Sequence, residues 1–360
     1  IEGLLDNKTE KILLLEEVFT KYPNSQYGDD AMFVLSETYL EINNKQKALD
    51  VLRDLVETYG TKSEWIKTTY LKMGLIAFNQ GNMYNSADYY KAVFRLNPSQ
   101  EETQIAKDAL KEIYIDNLGD ATAYNNFIKS IPGMDIDNNL EEENYYLVAK
   151  AKYDIGEWES AIDKYTFYLS NYPKGFRAPK ARYERAESYY SNKQYDDAYG
   201  DIEEILAENE EVYIERALEL ALLISYDYKK DFEAAFNYAE KLNETTLNSM
   251  LKTRAQNYGL VAAYKIGNTQ GVSDMAKLLK NNPDAEERYK IKAQHFLGKL
   301  AFENTDYGTA LQAFQEVIDA PNADDRGEAM YLIAEIYYKQ GKLEKSAEVI
   351  DEIFNNGSNY

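Results

Sequence analysis

Small and apolar residues recur along this chain with the 3.6-residue period of helices, and the whole pattern repeats every 36 to 38 residues. One copy reads Met73-Gly74, Ala77, Gly81, Met83, Ser86, Tyr90, Val93, Pro98; another reads Leu297-Gly298, Ala301, Tyr307, Ala310, Phe314, Val317. The first small or equivalent positions are Ser36, Gly74, Lys111, Ala149, Ala186, Leu223, Leu260, Gly298 and Ala334. Twelve residues beyond each stand Ala48, Ser86, Tyr124, Ala161, Ala198, Ala235, Val272, Ala310 and Ser346, with Tyr124 the misfit. The spacing predicts about nine antiparallel helical hairpins. Two helices approach to ~8–10 Å only where their crossing is lined by small side chains. A single hairpin cannot bury its own apolar face, so stacking supplies the core.

Lys8 to Tyr22 reads as one amphipathic helix ending at Pro23, the second half of a hairpin. The expected organisation is a half-repeat at 1–23, hairpins one to three at 24–133, hairpins four to nine at 134–354 and a tail at 355–360. The Ile131 to Asn139 loop marks the expected bend between sub-arrays. Neither end carries a polar capping helix, which predicts a segment of a longer repeat protein.

Composition narrows the function. A net charge of −22 disfavours nucleic acid and anionic membrane surfaces as partners. No apolar run reaches the ~18 residues of a membrane span. Without cysteine there is no thiolate chemistry. The single histidine, His295, leaves no triad and no histidine pair for a metal, so neither metal nor cofactor is expected. Asp135-x-Asp137-x-Asn139 starts like a calcium loop, but Leu140 replaces the turn glycine and Tyr146 the bidentate glutamate. The runs Glu141 to Glu143 and Glu208 to Glu211 read as helix starts or solvated faces.

Over nearly its whole length the pattern resembles the tetratricopeptide repeat family, whose usual period is 34 residues. That resemblance implies an all-α, right-handed α-α superhelix used as a scaffold. The junctions Tyr22-Pro23 to Phe33 and Tyr172-Pro173 to Ala181 look like those of bacterial envelope repeat proteins, among them β-barrel-assembly lipoproteins and the periplasmic coordinators of the Tol–Pal system. This implies a periplasmic or outer-membrane-associated protein of a Gram-negative bacterium, with the cytoplasm as the other setting.

In this family the first helix of each hairpin lines the concave surface. The register places Phe33, Leu71, Phe78, Tyr146, Tyr153, Tyr183, Tyr190, Tyr264, His295, Phe302, Tyr331 and Tyr338 there. The pairs Tyr146/Tyr153, Tyr183/Tyr190 and Tyr331/Tyr338 are seven residues apart, hence on one face. Such rings suit a groove for a peptide or helix of a partner protein. A basic corner of Arg254, Asn257, Lys292, His295 and Lys299 is positioned to hold a carboxylate. The expected function is therefore a non-catalytic protein-interaction scaffold, its acidic field favouring basic partners. The rival is an outer-membrane carbohydrate-binding protein using the same rings. Self-association is a further expectation.

Overall fold

The structure, a computed structural model, describes residues 7–22, 25–208, 211–321 and 323–356. Among these residues every regular element is helical. The helix α1 (Lys8–Lys21) is followed by nine pairs. These are α2 (Gly28–Glu41) with α3 (Lys45–Tyr59), α4 (Ile66–Asn79) with α5 (Met83–Val93), α6 (Gln100–Lys111) with α7 (Ala121–Lys129), and α8 (Asn138–Asp154) with α9 (Trp158–Asn171). Then come α10 (Ala178–Ser191) with α11 (Tyr195–Glu208), α12 (Ile214–Leu223) with α13 (Phe232–Thr245), and α14 (Ser249–Lys265) with α15 (Thr269–Asn281). The last are α16 (Glu287–Glu303) with α17 (Tyr307–Asp319) and α18 (Arg326–Lys339) with α19 (Leu343–Asn356).

The chain divides into two compact units, Ile1–Arg177 and Ala178–Tyr360, so the division falls just before α10. It does not fall after residue 133, where the bend is expected. That loop lies within the first unit because its apolar residues are captured: Ile136 is buried, and Ile131 and Met134 pack on the same cluster as Leu110 and Ile128. The calcium-like stretch is used for capping, since the Asp137 carboxylate accepts from the Leu140 amide at 2.7 Å. Asn355 and Asn356 extend α19 rather than starting a tail. Pro23, Asn209, Glu210 and residues 357–360 lie outside the described residues.

One turn is built nine times. The residue two places before each second helix sits in the left-handed region, at Asn43, Gly81, Gly119, Gly156, Lys193, Lys230, Gly267, Thr305 and Gly341. The next residue then caps the helix in most copies: the side chains of Asn44, Asn82, Asp120, Asp231, Asn268 and Asp306 accept from amides in the first turn. Five of these nine left-handed sites are glycine, which has no Cβ to crowd the following carbonyl. Thr305, at φ +58°, is β-branched and carries that strain. Thr305→Gly is therefore expected to stabilise the second unit by roughly 0.5–1 kcal/mol, after subtracting the extra freedom of glycine in the unfolded chain. An unchanged or lower urea midpoint would refute this.

The predicted crossings hold. Ser86 donates its hydroxyl to the Gly74 carbonyl at 2.7 Å, and Ser346 to the Ala334 carbonyl at 2.8 Å, each across the twelve-residue offset read in the sequence. A Cβ on Gly74 would lie 2.7 Å from the Tyr90 ring, and one on Gly298 would lie 2.7 Å from the Phe314 ring. The bulky residues at three small-residue positions, Lys111, Leu223 and Leu260, have two causes. After Lys111 the helix widens into a π-helical turn over Glu112–Asn117, and after Leu223 into another over Ile224–Lys229. Each adds a residue to the turn and re-aims the side chains, and Tyr124 becomes a buried core ring. In the seventh hairpin the close approach belongs to Gly259, one residue before Leu260; its added Cβ would sit 3.0 Å from that of Ala239 on α13 and 3.3 Å from Met275 on α15.

Burial raises the Tyr90 and Tyr124 hydroxyls to about 12, with smaller help from Glu112 and Asp108 respectively. Folding thus favours their neutral form. This stability is fully present below the unfolded value of ~10 and is lost as pH rises through about 12. The first unit is expected to lose helicity between pH 10 and 12. Replacing both residues with Phe should move that loss to higher pH, as read by circular dichroism.

Candidate functional site

The first helices of the hairpins carry the candidate groove, and the two units treat it differently. In the first unit the rings close on neighbouring side chains of the stack. Phe33, 6% exposed, stacks on Trp65 at 4.2 Å, and the Trp65 indole N–H donates to Asp30 at 2.7 Å. Leu71 and Phe78 are half-buried against the Tyr90 and Leu110 cluster. Tyr146, 2% exposed, packs against Tyr165 and Tyr168 of α9 and under the Arg177 guanidinium. Tyr153 meets Trp158 and Tyr165 edge-on. Tyr146 and Tyr153 face the second helix of their own pair and Phe33 the start of the next hairpin, so these rings pack within the stack rather than lining an open groove.

The acidic run beside them is also corrected. Glu142 is buried, accepting from the Tyr168 hydroxyl at 2.5 Å and the Arg177 amide at 3.3 Å, while Glu143 takes two bonds from the Arg177 guanidinium. Glu208 likewise pairs with buried Arg182.

The second unit keeps open space along its first helices. Tyr183 is buried, stacked on Tyr213 at 5.5 Å, with its hydroxyl donating to Glu187. Tyr190 is half-buried, and both rings line a cleft of about 220 Å³ with Arg216 and Glu219. Glu219 forms an ion pair with Arg254, which lines the next and larger cleft of about 560 Å³. That cleft runs between the π-helical turn after α12, α14 and α16, with Tyr226, Met250, Arg254, Asn257, Tyr289 and Lys292 among its walls. Tyr264 is half-buried under the Lys299 ammonium, with its hydroxyl donating to Glu303 at 3.1 Å. Phe302 is half-buried, while Tyr331 and Tyr338 stand exposed on α18 at 60% and 67%.

The large cleft is held by a buried polar chain. Gln256 donates to Asn243 at 2.9 Å, and Asn282 donates both to Gln256 at 3.0 Å and to Thr253 at 3.1 Å. These bonds tie α13, α14 and the loop after α15 together. Two polar groups in the cleft wall stay unsatisfied among the described residues. Asn257 Oδ1 is buried without a hydrogen-bond partner, and the Lys292 ammonium has no hydrogen bond or ion pair. Burial pulls Lys292 below the usual lysine range, against the opposing pull of Asp325 and Asp324.

The basic corner thus splits. Arg254, Asn257 and Lys292 line the cleft. His295 and Lys299 turn instead to carboxylates of the chain itself: Lys299 meets Glu328 at 2.8 Å, and His295 faces Asp325 and Glu328 at 3.4 and 3.5 Å. Sequence reasoning missed Met250, Tyr226 and Tyr289. Met250, Arg254, Asn257 and Val261 do recur on one face of α14 at helical spacing, and that signal could have found the α14 wall.

The repeat geometry agrees with sequence comparison. The tetratricopeptide repeat pattern matches residues 146–210 and 297–359, and related patterns of the same description match 30–61 and 68–100, together more than half of the chain. The chain belongs to the tetratricopeptide repeat family. Among solved structures, the P58(IPK) tetratricopeptide repeat domain is 16% identical, with 98% of this chain and 96% of that one covered at a TM-score of 0.28. PilF of Pseudomonas aeruginosa is 16% identical over 73% of this chain and 95% of its own, with a TM-score of 0.37. Apo RapI is 16% identical over 81% and 87%, with a TM-score of 0.41. No curated protein matches this chain. A tetratricopeptide repeat chain of this kind is a protein-interaction scaffold, and no helix among the described residues is long and apolar enough to cross a membrane.

Proposed function

We propose that this tetratricopeptide repeat protein is a non-catalytic scaffold that holds a peptide segment of another protein along the first helices of its second unit. The large cleft carries the reading. Its 560 Å³ lies within the ~300–1,000 Å³ range of ligand sites. Its wall offers an unpaired ammonium, an unsatisfied amide oxygen and several aromatic faces, which suit a peptide carboxylate beside a backbone N–H and an apolar side chain. The rim carboxylates Asp284 and Glu286 add preference for a basic residue next to that carboxylate. The tyrosine–proline junctions support a place in a bacterial envelope assembly, which fractionation of cells making the native protein would check.

A peptide array probed with the untagged protein tests the site. Wild type is expected to retain a subset of peptides that Lys292→Glu loses by tenfold or more, about 1.4 kcal/mol. Lys129→Glu, in the first unit, should bind as wild type does. Equal retention by Lys292→Glu would defeat the cleft assignment. Binding to an oligosaccharide panel with no peptide retained would return the carbohydrate reading.

A further inference from the structure

Lys292 stands where two clefts meet. It lines the large cleft and also a smaller one of about 160 Å³, beside Ile291, Pro321, Asp324 and Asp325. Its side chain is half-buried and takes no hydrogen bond or ion pair among the described residues. Lys299, seven residues further along α16, is instead held by Glu328 at 2.8 Å.

The charged groups around Lys292 are mostly engaged elsewhere. Arg254 pairs with Glu219, Arg288 with Glu286, and Asp325 faces His295. Asp284 lines the large cleft, and Asp324 and Glu287 the small one, without closing on the ammonium. A half-buried amine with no counter-charge in contact is held toward its neutral form, which carries the lone pair that attacks a carbonyl carbon. Burial acts in this direction at Lys292, and the opposing pull of Asp325 and Asp324 does not reverse it. Space and lining complete the picture. The large cleft of about 560 Å³ admits a small molecule, and Met250, Val261 and Tyr289 offer apolar contact to an acyl chain.

We infer that Lys292 is an acylation site of this protein, taking a short acyl group from a thioester donor. The Nζ lone pair attacks the thioester carbonyl carbon and the N–C bond forms. The C–S bond then breaks, and the thiol leaves with the proton that the nitrogen gives up. No oxidant or reductant is needed. The product amide is neutral, so the cleft loses the cation that would hold a peptide carboxylate. Acylation thereby switches peptide capture off, a consequence that rests on the proposed function, whereas the modification itself does not.

Untagged protein would be incubated at pH 7.0 with S-acetyl-N-acetylcysteamine, an uncharged thioester that groove cations do not attract. Initial acetylation rates would be read lysine by lysine by mass spectrometry. Lys292 is expected to react at least threefold faster than exposed Lys45 and at least tenfold faster than ion-paired Lys299. At pH 10.5 the lead over Lys45 should shrink, because an exposed lysine is then substantially neutral as well. A Lys292 rate at or below that of Lys45 at pH 7.0, or a lead unchanged at pH 10.5, would overturn the site. Peptides retained by wild type should be lost in proportion to acetyl occupancy at Lys292 and not at Lys45. Loss that follows another lysine would overturn the switch. A wild type that retains no peptide would defeat the groove reading alone, and the acetylation rates would still decide the site.

Discussion

Phe314→Ala is expected to cost the second unit about 3–5 kcal/mol, the range for emptying a fully buried aromatic site. The ring is 0% exposed and packs with Ala310, Val317, Ile333 and Ile336. It also fills the space that Gly298 leaves open, since a Cβ at Gly298 would lie 2.7 Å from it. The two positions should therefore couple. In wild type, Gly298→Ala should destabilise, because the clash with a ring that cannot retreat outweighs the ~1 kcal/mol helix-propensity gain of alanine. In the Phe314→Ala background only the 3.1 Å approach to the Ala313 Cβ remains, so the same change should destabilise less than in wild type. A urea double-mutant cycle reads this directly. A Phe314→Ala midpoint no lower than that of exposed Phe354→Ala would refute the packing assignment.

Arg185→Leu should cost a similar amount, about 3–5 kcal/mol, by leaving a buried charge without its partner. Arg185 grips Asp201 through two nitrogens, at 2.8 and 2.6 Å, and the Asp201 side chain is only 6% exposed. Burial already pushes the Asp201 carboxyl above its usual range, against the pull of Arg185. Without the arginine that carboxyl rises further. Folding then favours its protonated form, a contribution present at low pH and lost as pH rises through the folded value. The deficit of the variant should be smaller at pH 5 than at pH 8. Adding Asp201→Leu should recover most of the loss, because a hydrophobic pair of similar volume replaces the ion pair. A double variant as unstable as Arg185→Leu alone would contradict this account.

The repeat itself was legible because it depends on local size. A glycine, alanine or serine every 36 to 38 residues admits a neighbouring helix regardless of what surrounds it, and the twelve-residue offset to the facing small residue reappears as the Ser86–Gly74 and Ser346–Ala334 bonds. The failures at Lys111 and Leu223 were legible only as misfits. A π-helical turn has no strong residue signature, and its effect is to shift the following side chains by a residue. The left-handed turn residue was half visible, since five copies are glycine while Asn43, Lys193, Lys230 and Thr305 adopt the same conformation by constraint from the flanking helices.

The groove was the least legible part. A helical register states which residues share a face, but it cannot say how far the neighbouring helix has rotated toward them. Tyr146 and Tyr331 occupy equivalent places in their hairpins and end at 2% and 60% exposure. α9 supplies Tyr165 and Tyr168 to cover Tyr146, whereas Tyr331 has no such ring against it among the described residues. Likewise the basic cluster was visible as residues, but its division was not. Whether Lys292 stays unpaired while His295 turns to Asp325 and Glu328 depends on residues about 30 positions away, brought close by hairpin stacking.

The sequence by itself determined the helices, their pairing and the class of scaffold, because small-residue spacing and capping act within one hairpin. Only the tertiary structure decided which aromatic rings are core, which cations remain available and where a histidine meets two carboxylates. Those outcomes depend on contacts between helices separated along the chain, where a rotation of a few tens of degrees exchanges a buried face for an open one.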